Sequence, residues 1–331
     1  MDHEPYLSVA IPCYNEEHGL RALHERVGAA CQRMVGSRYE IVLVNDGSRD
    51  NSWPVMAALA ESDPHVVAVN LSRNHGHQLA LTAGLSICTG DRILIIDADL
   101  QDPPELLGEM MRLMDEGADV VYGKRRVRAG ETPFKRVSAT LFYRLLAKMT
   151  DVSIPVDTGD FRLITRRVLS VLQAMPEQHR FIRGMVSWIG FRQVPVMYDR
   201  AERFTGQTNY PFHKMLSFAV DAITGFSTLP LRVSSYAGAM LGIAALAMTG
   251  YALIGYWQSR VVQGWTSVMI AVLLLGSAQM FFLGILGEYV GRLYIETKRR
   301  PLYVIRDVIG TRAHTHNGIA EPPDKTAVRI T

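Results

Sequence analysis

The chain has 331 residues, with 35 Lys and Arg against 32 Asp and Glu and a formal charge of +3. That length admits one large domain plus an accessory part, and so even a charge balance offers nothing to bind nucleic acid. Three cysteines, Cys13, Cys31 and Cys88, are scattered without metal or redox spacing and fit a reducing compartment.

Met1 to Tyr6 is polar and acidic, which predicts no signal peptide. Residues 7–125 then alternate strand and helix. Residues 7–12 form an apolar run ending in Pro12-Cys13-Tyr14-Asn15-Glu16-Glu17, and Leu20, Leu23, Val27 and Ala30 follow at helical spacing. Residues 41–44 predict a buried strand ending in Asn45-Asp46-Gly47-Ser48, and residues 53–60 a helix. A third strand over 66–69 leads into Ser72-Arg73-Asn74-His75-Gly76-His77, and a third helix over 78–88 closes at Thr89-Gly90.

Four apolar residues, Ile93 to Ile96, predict a strand buried on both faces. Asp97 and Asp99 stand at its carboxyl end, where open α/β sheets bind ligands. Two carboxylates suit a hard divalent cation that completes its shell with phosphate and water; the plainer reading is turn chemistry. Asp102-Pro103-Pro104-Glu105 predicts a helix start, with Asp102 at N-cap, Pro103 at N1 and Glu105 at N3. A strand over 119–122 ends in Gly123-Lys124-Arg125. This alternation predicts an α/β fold with a mostly parallel sheet and helices on both faces.

Polar groups therefore follow strand after strand: Asn15 and Glu16, Asp46, Arg73 and Asn74, Asp97 and Asp99, Lys124 and Arg125. In a parallel sheet they share one rim, which favours a ligand cleft over coincidental turns. No G-x-G-x-x-G follows the first strand and no G-x-x-x-x-G-K-[ST] occurs. The rim suits a nucleoside diphosphate held through a cation. His75 and His77 have His-x-His spacing, but the favoured reading puts them at a helix N-terminus near phosphate or in packing.

Phe134, Val137, Leu141, Leu145 and Met149 predict a helix over 131–150. Asp157-Thr158-Gly159-Asp160-Phe161-Arg162-Leu163 places two acids around a Thr-Gly bend before an apolar strand; turn chemistry and an acceptor-side site both remain open. Residues 191–198 predict another strand, and 200–210 a polar, mobile loop with Gly206.

From Pro211 the character changes. Phe212, Met215, Leu216, Ala219, Ile223 and Phe226 line one helix face, with Lys214, Ser217, Asp221 and Thr224 opposite. Such a helix lies in a membrane interface or packs on the domain before it. Residues 233–259 and 261–287 carry no charge, about 27 positions each, against the roughly 20 that cross a bilayer. Only Arg260 separates them, so they predict a transmembrane hairpin. Arg200, Arg203, Lys214 and Arg232 precede it, and Arg292, Lys298, Arg299, Arg300 and Arg306 follow it, which puts both flanks in the cytoplasm. The expected organisation is a catalytic domain over 1–210, an amphipathic interface helix over 211–232, two transmembrane helices over 233–288, and a cytoplasmic segment over 289–331, disordered after about 310.

Ile11-Pro12-Cys13-Tyr14-Asn15-Glu16-Glu17, Val44-Asn45-Asp46-Gly47-Ser48, Arg73-Asn74-x-Gly76 and Asp97-Ala98-Asp99-Leu100-Gln101-Asp102-Pro103-Pro104-Glu105 together resemble glycosyltransferase family 2, on its polyisoprenyl-phosphate branch. With Asp157-Thr158-Gly159-Asp160-Phe161-Arg162-Leu163 and the hairpin, the chain is similar to bacterial undecaprenyl-phosphate glucosyltransferases over roughly residues 5–306. The resemblance implies a GT-A (Rossmann-like) fold and inverting transfer of a hexose, glucose above others, from a UDP-sugar to a polyprenyl phosphate. It implies that Pro12, Tyr14, Asn15, Glu16, Asp46 and Arg73 hold the nucleotide. Asp97, Asp99 and Gln101 would hold Mg2+ or Mn2+, and Lys124, Arg125 and Arg128 would lie by phosphates. Asp160 and Asp157 would serve at the reacting centre, with Arg203 closing over it. It further implies a bacterial inner-membrane protein and a homotetramer. Gly206-Gln207-Thr208-Asn209-Tyr210 departs from the family's loop, with Asn209 where Lys is usual.

Rival readings predict other sequences. A processive polysaccharide synthase needs more spans and a Gln-x-x-Arg-Trp motif, which Gln178-His179-Arg180-Phe181 does not supply. A non-catalytic nucleotide-sugar scaffold binds donor without making product. A transporter with two spans per chain would have to oligomerise. A transferase of mannose or an aminosugar shares every motif above.

Overall fold

The computed structural model describes residues 4–126, 158–199, 229–257 and 264–310. They fall into two units, residues up to 210 together with those from Arg299 onward, and the helical segment up to Lys298. The helix expected over 131–150, the helix expected over 211–232 as far as residue 228, the loop expected with Arg203, Gly206 and Asn209, Arg128, Asp157 and the tail after 310 lie outside the described residues, while residues 229–232 already belong to the long helix that begins at Leu229.

The first unit is built on an eight-stranded sheet. Its elements in chain order are β1 (Leu7–Cys13), α1 (Leu20–Val35), β2 (Tyr39–Asn45), α2 (Ser52–Ser62), β3 (Val66–Leu71), α3 (His77–Ile87) and β4 (Arg92–Ile95). A 3-10 turn (Pro104–Leu106), α4 (Leu107–Asp115), β5 (Val120–Arg125), β6 (Thr158–Thr165), α5 (Arg166–Ala174), α6 (Ile182–Ile189) and β7 (Gln193–Tyr198) follow. Strand β8 (Ile305–Ile309) comes last. The order across the sheet is β7-β5-β6-β4-β1-β2-β3-β8.

β1 pairs in parallel with β2 and β4, β2 with β3, and β5 with β7. β6 runs antiparallel between β4 and β5, and β8 runs antiparallel along β3. The expectation of a mostly parallel sheet holds for six of the eight strands, which share one direction, while β6 and β8 make the sheet mixed. The reason lies at both ends of the chain's α/β repeat, where two late strands enter against the prevailing direction. Both are also where the sequence reading went astray: Thr158, Gly159 and Asp160 form the buried start of β6 and not a bend before a strand.

Every residue of β1, β2 and β3 is buried, so helices must cover both faces. Val9, Ile11, Ile41 and Leu43 face Leu20, Leu23, Val27 and Ala30 of α1 and the inner side chains of α2 and α4 in one continuous core. α3 packs on β1 and β2. The helix start expected at Asp102 is also corrected. Pro103, not Asp102, occupies the N-cap position of the 3-10 turn, with no side-chain cap hydrogen bond. Buried Asp102 instead accepts a hydrogen bond from the Tyr198 hydroxyl, which terminates β7.

The second unit contains two long helices in contact with each other, α7 (Leu229–Trp257) and α8 (Trp265–Thr297). At 29 and 33 residues they extend about 43 and 50 Å, from the 1.5 Å rise per residue. Tyr236, Met240, Ile243, Leu246, Val268, Leu274, Met280, Phe281 and Leu293 are all exposed. Among the described residues, Leu274–Thr297 is long and apolar enough to cross a membrane, and Val233–Ala244 is a shorter apolar stretch.

Candidate active site

The carboxyl ends of β1 to β5 converge on one rim, and the antiparallel start of β6 joins them there. The first two loops are stitched together. Asn15, in left-handed backbone conformation with φ 56°, donates its N–H to Ser48 Oγ at 3.0 Å and accepts from the Arg49 N–H at 2.8 Å. The Glu16 N–H donates to Ser52 Oγ at 2.9 Å. Pro12 is buried inside β1, whereas Tyr14 is exposed at the rim.

Asp46, at the end of β2, holds the loop after β3. Its two carboxylate oxygens accept the N–H groups of His75 at 2.7 Å and Gly76 at 3.0 Å. Burial raises its pKa and these hydrogen bonds pull the other way, with the net shift upward. Gly47 permits the approach: a Cβ there would stand 2.5 Å from Asn74 N and 2.6 Å from the Arg73 carbonyl carbon. Arg73 remains exposed on that loop.

His77 opens α3 and reaches two carboxylates. Its Nε2 lies 3.5 Å from Asp97 Oδ1 and 3.3 Å from Asp160 Oδ2. Burial lowers its pKa, but the Asp160 hydrogen bond and the charges of Asp97, Asp160 and Asp46 outweigh that and leave it raised. The imidazole thus joins the β4 loop to β6 instead of forming a His-x-His metal site with His75.

Asp97 Oδ1 is buried without a hydrogen-bond partner. Burial pushes the Asp97 carboxyl up to about 6; His77 opposes this, and Asp160, Asp102 and Asp99 add to it. The loop turns through Leu100 at φ 58°, and the Gln101 N–H donates to Asp99 Oδ1 at 3.2 Å. Among the described residues no three His, Cys, Asp or Glu side chains converge as a complete metal cage. An orphaned carboxylate oxygen with hard oxygen donors beside it nevertheless fits a cation that takes the rest of its shell from a ligand.

Asp160 is the most heavily engaged acid. Gln78 Nε2 donates to its Oδ2 at 2.9 Å. Arg183 Nη2 and Arg162 Nη2 stand 3.5 and 3.7 Å from its Oδ1. Burial alone would raise its pKa, but His77, Arg183 and Arg162 hold it far below the usual carboxylate range. Arg162 is itself buried, which pulls its guanidinium down to about 10 against the charge of Asp160. It also donates to the carbonyl oxygens of Gly159 at 3.1 Å and Asp160 at 3.3 Å.

Lys124 and Arg125 end β5 at the same rim, both partly buried. Arg125 Nη2 lies 3.4 Å from where a Gly159 Cβ would stand, and Asp102 Oδ2 lies 3.9 Å from it. The structure therefore gathers Asp97, His77, Asp160, Asp102 and Arg125 around the junction of β4, β5 and β6. Sequence reasoning missed Gln78, Arg162 and Arg183. Only the acid they surround, Asp160, carried a signal.

Residues 8–172 match the family model "Glycosyl transferase family 2", and residues 229–293 match "GtrB C-terminal hairpin". An uncharacterised glycosyltransferase of Bacillus subtilis is 43% identical over 304 residues, covering 92% of this chain and 94% of its own. A prophage bactoprenol glucosyl transferase homolog of Escherichia coli is 40% identical, covering 91% and 99%. A bactoprenol glucosyl transferase of Shigella phage SfV is 38% identical, covering 91% and 98%.

Proposed function

The chain belongs to glycosyl transferase family 2, and on that premise we propose that it transfers glucose from UDP-glucose to undecaprenyl phosphate, with inversion at the sugar, in a bacterial inner membrane. The supporting observation is the set of carboxylates at the β4–β6 junction, with one oxygen of Asp97 left unsatisfied and Asp160 fixed by cations beside it.

The reaction brings two anions together: a lipid phosphate oxygen attacks the anomeric carbon as the nucleoside diphosphate leaves from the opposite face. Asp97, Asp99 and Gln101 would hold Mg2+ or Mn2+, whose contribution is to neutralise the leaving diphosphate. Lys124, Arg125 and Arg128 supply further positive charge at the phosphates, together with Arg203. Tyr14, Asn15, Glu16 and Arg73 form the nucleotide side of the rim, while buried Pro12 and Asp46 shape its loops.

A phosphate monoester has its second pKa near ~6, so the nucleophile is already ionised at neutral pH. Asp160 is correspondingly unsuited to accept a proton, since its pKa is held down, Gln78 and His77 stand at its Oδ2, and two guanidiniums lie 3.5 and 3.7 Å from its Oδ1. Its role is to stay negative and stabilise positive charge at the anomeric carbon, with Asp157 nearby in sequence. The exposed apolar side chains described on α7 and α8 support two membrane crossings, as an enzyme acting on a lipid phosphate requires. A homotetramer, implied by the resemblance, would pair such hairpins.

The test is product formation. Membranes containing the protein, given radiolabelled UDP-glucose and undecaprenyl phosphate, yield labelled glycolipid in the organic extract. UDP-mannose and UDP-N-acetylglucosamine run in parallel report the sugar. Tight donor binding with no labelled lipid from any sugar would mark a scaffold and overturn the assignment.

A further inference from the structure

Asp160 is reached by side chains from α3, β6 and α6, and its shortest contact comes from an uncharged one. Gln78 Nε2 donates to Asp160 Oδ2 at 2.9 Å. The other end of the same amide, Oε1, accepts the Ile182 N–H at 2.9 Å. Ile182 is the first residue of α6, and the N-cap residue Phe181 offers that helix no side-chain cap. The next residue, Arg183, places Nη2 3.5 Å from the opposite oxygen of Asp160.

We propose that Gln78 is a positioning residue for the transfer: one end of its amide fixes the plane of the Asp160 carboxylate, and the other fixes the start of α6 and thereby Arg183. The inference rests on the reading of Asp160 as the carboxylate at the reacting centre. A neutral amide suits the task, because it offers a donor and an acceptor at one tip without altering the charge balance among His77, Asp97, Asp160, Arg162 and Arg183. Gln78 acts through Asp160 and need not touch substrate. Its loss should slow the bound complex while leaving donor capture alone.

The test uses the full-length protein in membranes and four variants: Gln78→Met, which keeps length and removes both polar ends; Gln78→Glu; Asp160→Asn; and Gln78→Met with Asp160→Asn. Gln78→Met is expected to lower kcat by about 10- to 100-fold with the KM for UDP-glucose within about twofold of wild type. Added to Asp160→Asn it should cost almost nothing more, because the partner it positions is already altered. Gln78→Glu retains the acceptor for Ile182 but turns a carboxylate toward Asp160. Its kcat, relative to wild type, should rise as pH falls from 8 to 6 and the new acid regains a proton to donate. Wild-type kcat in Gln78→Met, losses that multiply in the double variant, or a flat relative pH profile for Gln78→Glu would each overturn the proposal. If Gln78→Met does not accumulate, the Gln78→Glu profile decides alone. An Asp160→Asn variant as fast as wild type would instead remove the reading beneath it, and the inference with it.

Discussion

At Asp97, burial and the like charges of Asp99, Asp102 and Asp160 disfavour the ionised form, and one oxygen has no hydrogen bond. An amide in its place relieves that repulsion. Asp97→Asn is expected to raise the melting temperature of the metal-free protein by about 2–4 °C, the shift expected for about 1 kcal/mol in a domain of this size. The same change should cut turnover by about 1,000-fold or more, several kcal/mol of lost charge stabilisation. Differential scanning fluorimetry beside the glycolipid assay checks both; an unchanged or lower melting temperature would remove the argument. Asp63, in the turn between α2 and β3, behaves oppositely. It accepts from His24 at 2.8 Å and from the His65 ring and N–H, each at 2.9 Å. Burial works to raise its pKa, but these partners leave it lowered. A depressed carboxylate adds stability that is present above its unfolded pKa of about 3.9 and is lost as pH falls through the folded value. Asp63→Asn should therefore cost about 1–2 kcal/mol at pH 6 and progressively less below pH 4, as urea denaturation at the two pH values would report. A pH-independent difference would mean that the cost is purely steric.

Among the elements, β5, β6 and β7 show how close packing shapes the rim. A Cβ at Gly123 would stand 2.7 Å from Phe161 Cδ1 and 2.8 Å from Tyr198 Cε1, and those two rings meet edge-on at 5.8 Å. Gly123→Ala should destabilise by about 1–3 kcal/mol through overpacking, and it should weaken donor binding, because Lys124 and Arg125 follow on the same strand. A shift in the denaturation midpoint with unchanged slope measures the first, calorimetry with UDP the second; a neutral substitution would mean that the rings have room to yield. The regular elements were legible because their signals are local. Leu20, Leu23, Val27 and Ala30 announced the buried face of α1, and Ile93 to Ile96 announced β4. The start of β6 was hidden because Thr158, Gly159 and Asp160 are turn formers by composition, and pairing with β5, Thr158 opposite Lys124, makes them strand. Asp102 fitted an N-cap pattern, but Tyr198, 96 residues away, supplies a better partner. Gln78, Arg162 and Arg183 were unreadable for the same reason. A polar residue on a helix or strand looks solvated until the fold brings Asp160 to it.

At the scale of the whole molecule, the proposed function assigns catalysis to the sheet unit and attachment to the helical unit. The sheet unit contains every described residue assigned to the donor, and the helical unit contains the apolar stretches. Replacing residues 229–297 by a flexible linker, while keeping Tyr303 and β8, should leave UDP binding within about threefold, since no described rim residue is removed, and release the protein from membranes. Turnover of a short, water-soluble prenyl phosphate by this variant would assign the helices to anchoring; bound donor without turnover would assign them a share in presenting the acceptor. β8 must be kept because it is part of the sheet. Asp307 accepts from Asn70 Nδ2 at 2.9 Å, Asn70 accepts from Asn45 Nδ2 at 2.8 Å, and Asn45 accepts the Ser48 N–H at 3.1 Å in the loop that braces Asn15. That ladder has a consequence for biosynthesis. The strand that seals the open edge of β3 is encoded after both long helices, so it leaves the ribosome after them. A nascent chain carries an unsealed sheet until its two long apolar helices have already been made, and the loops after β1 and β2 gain their final brace only then.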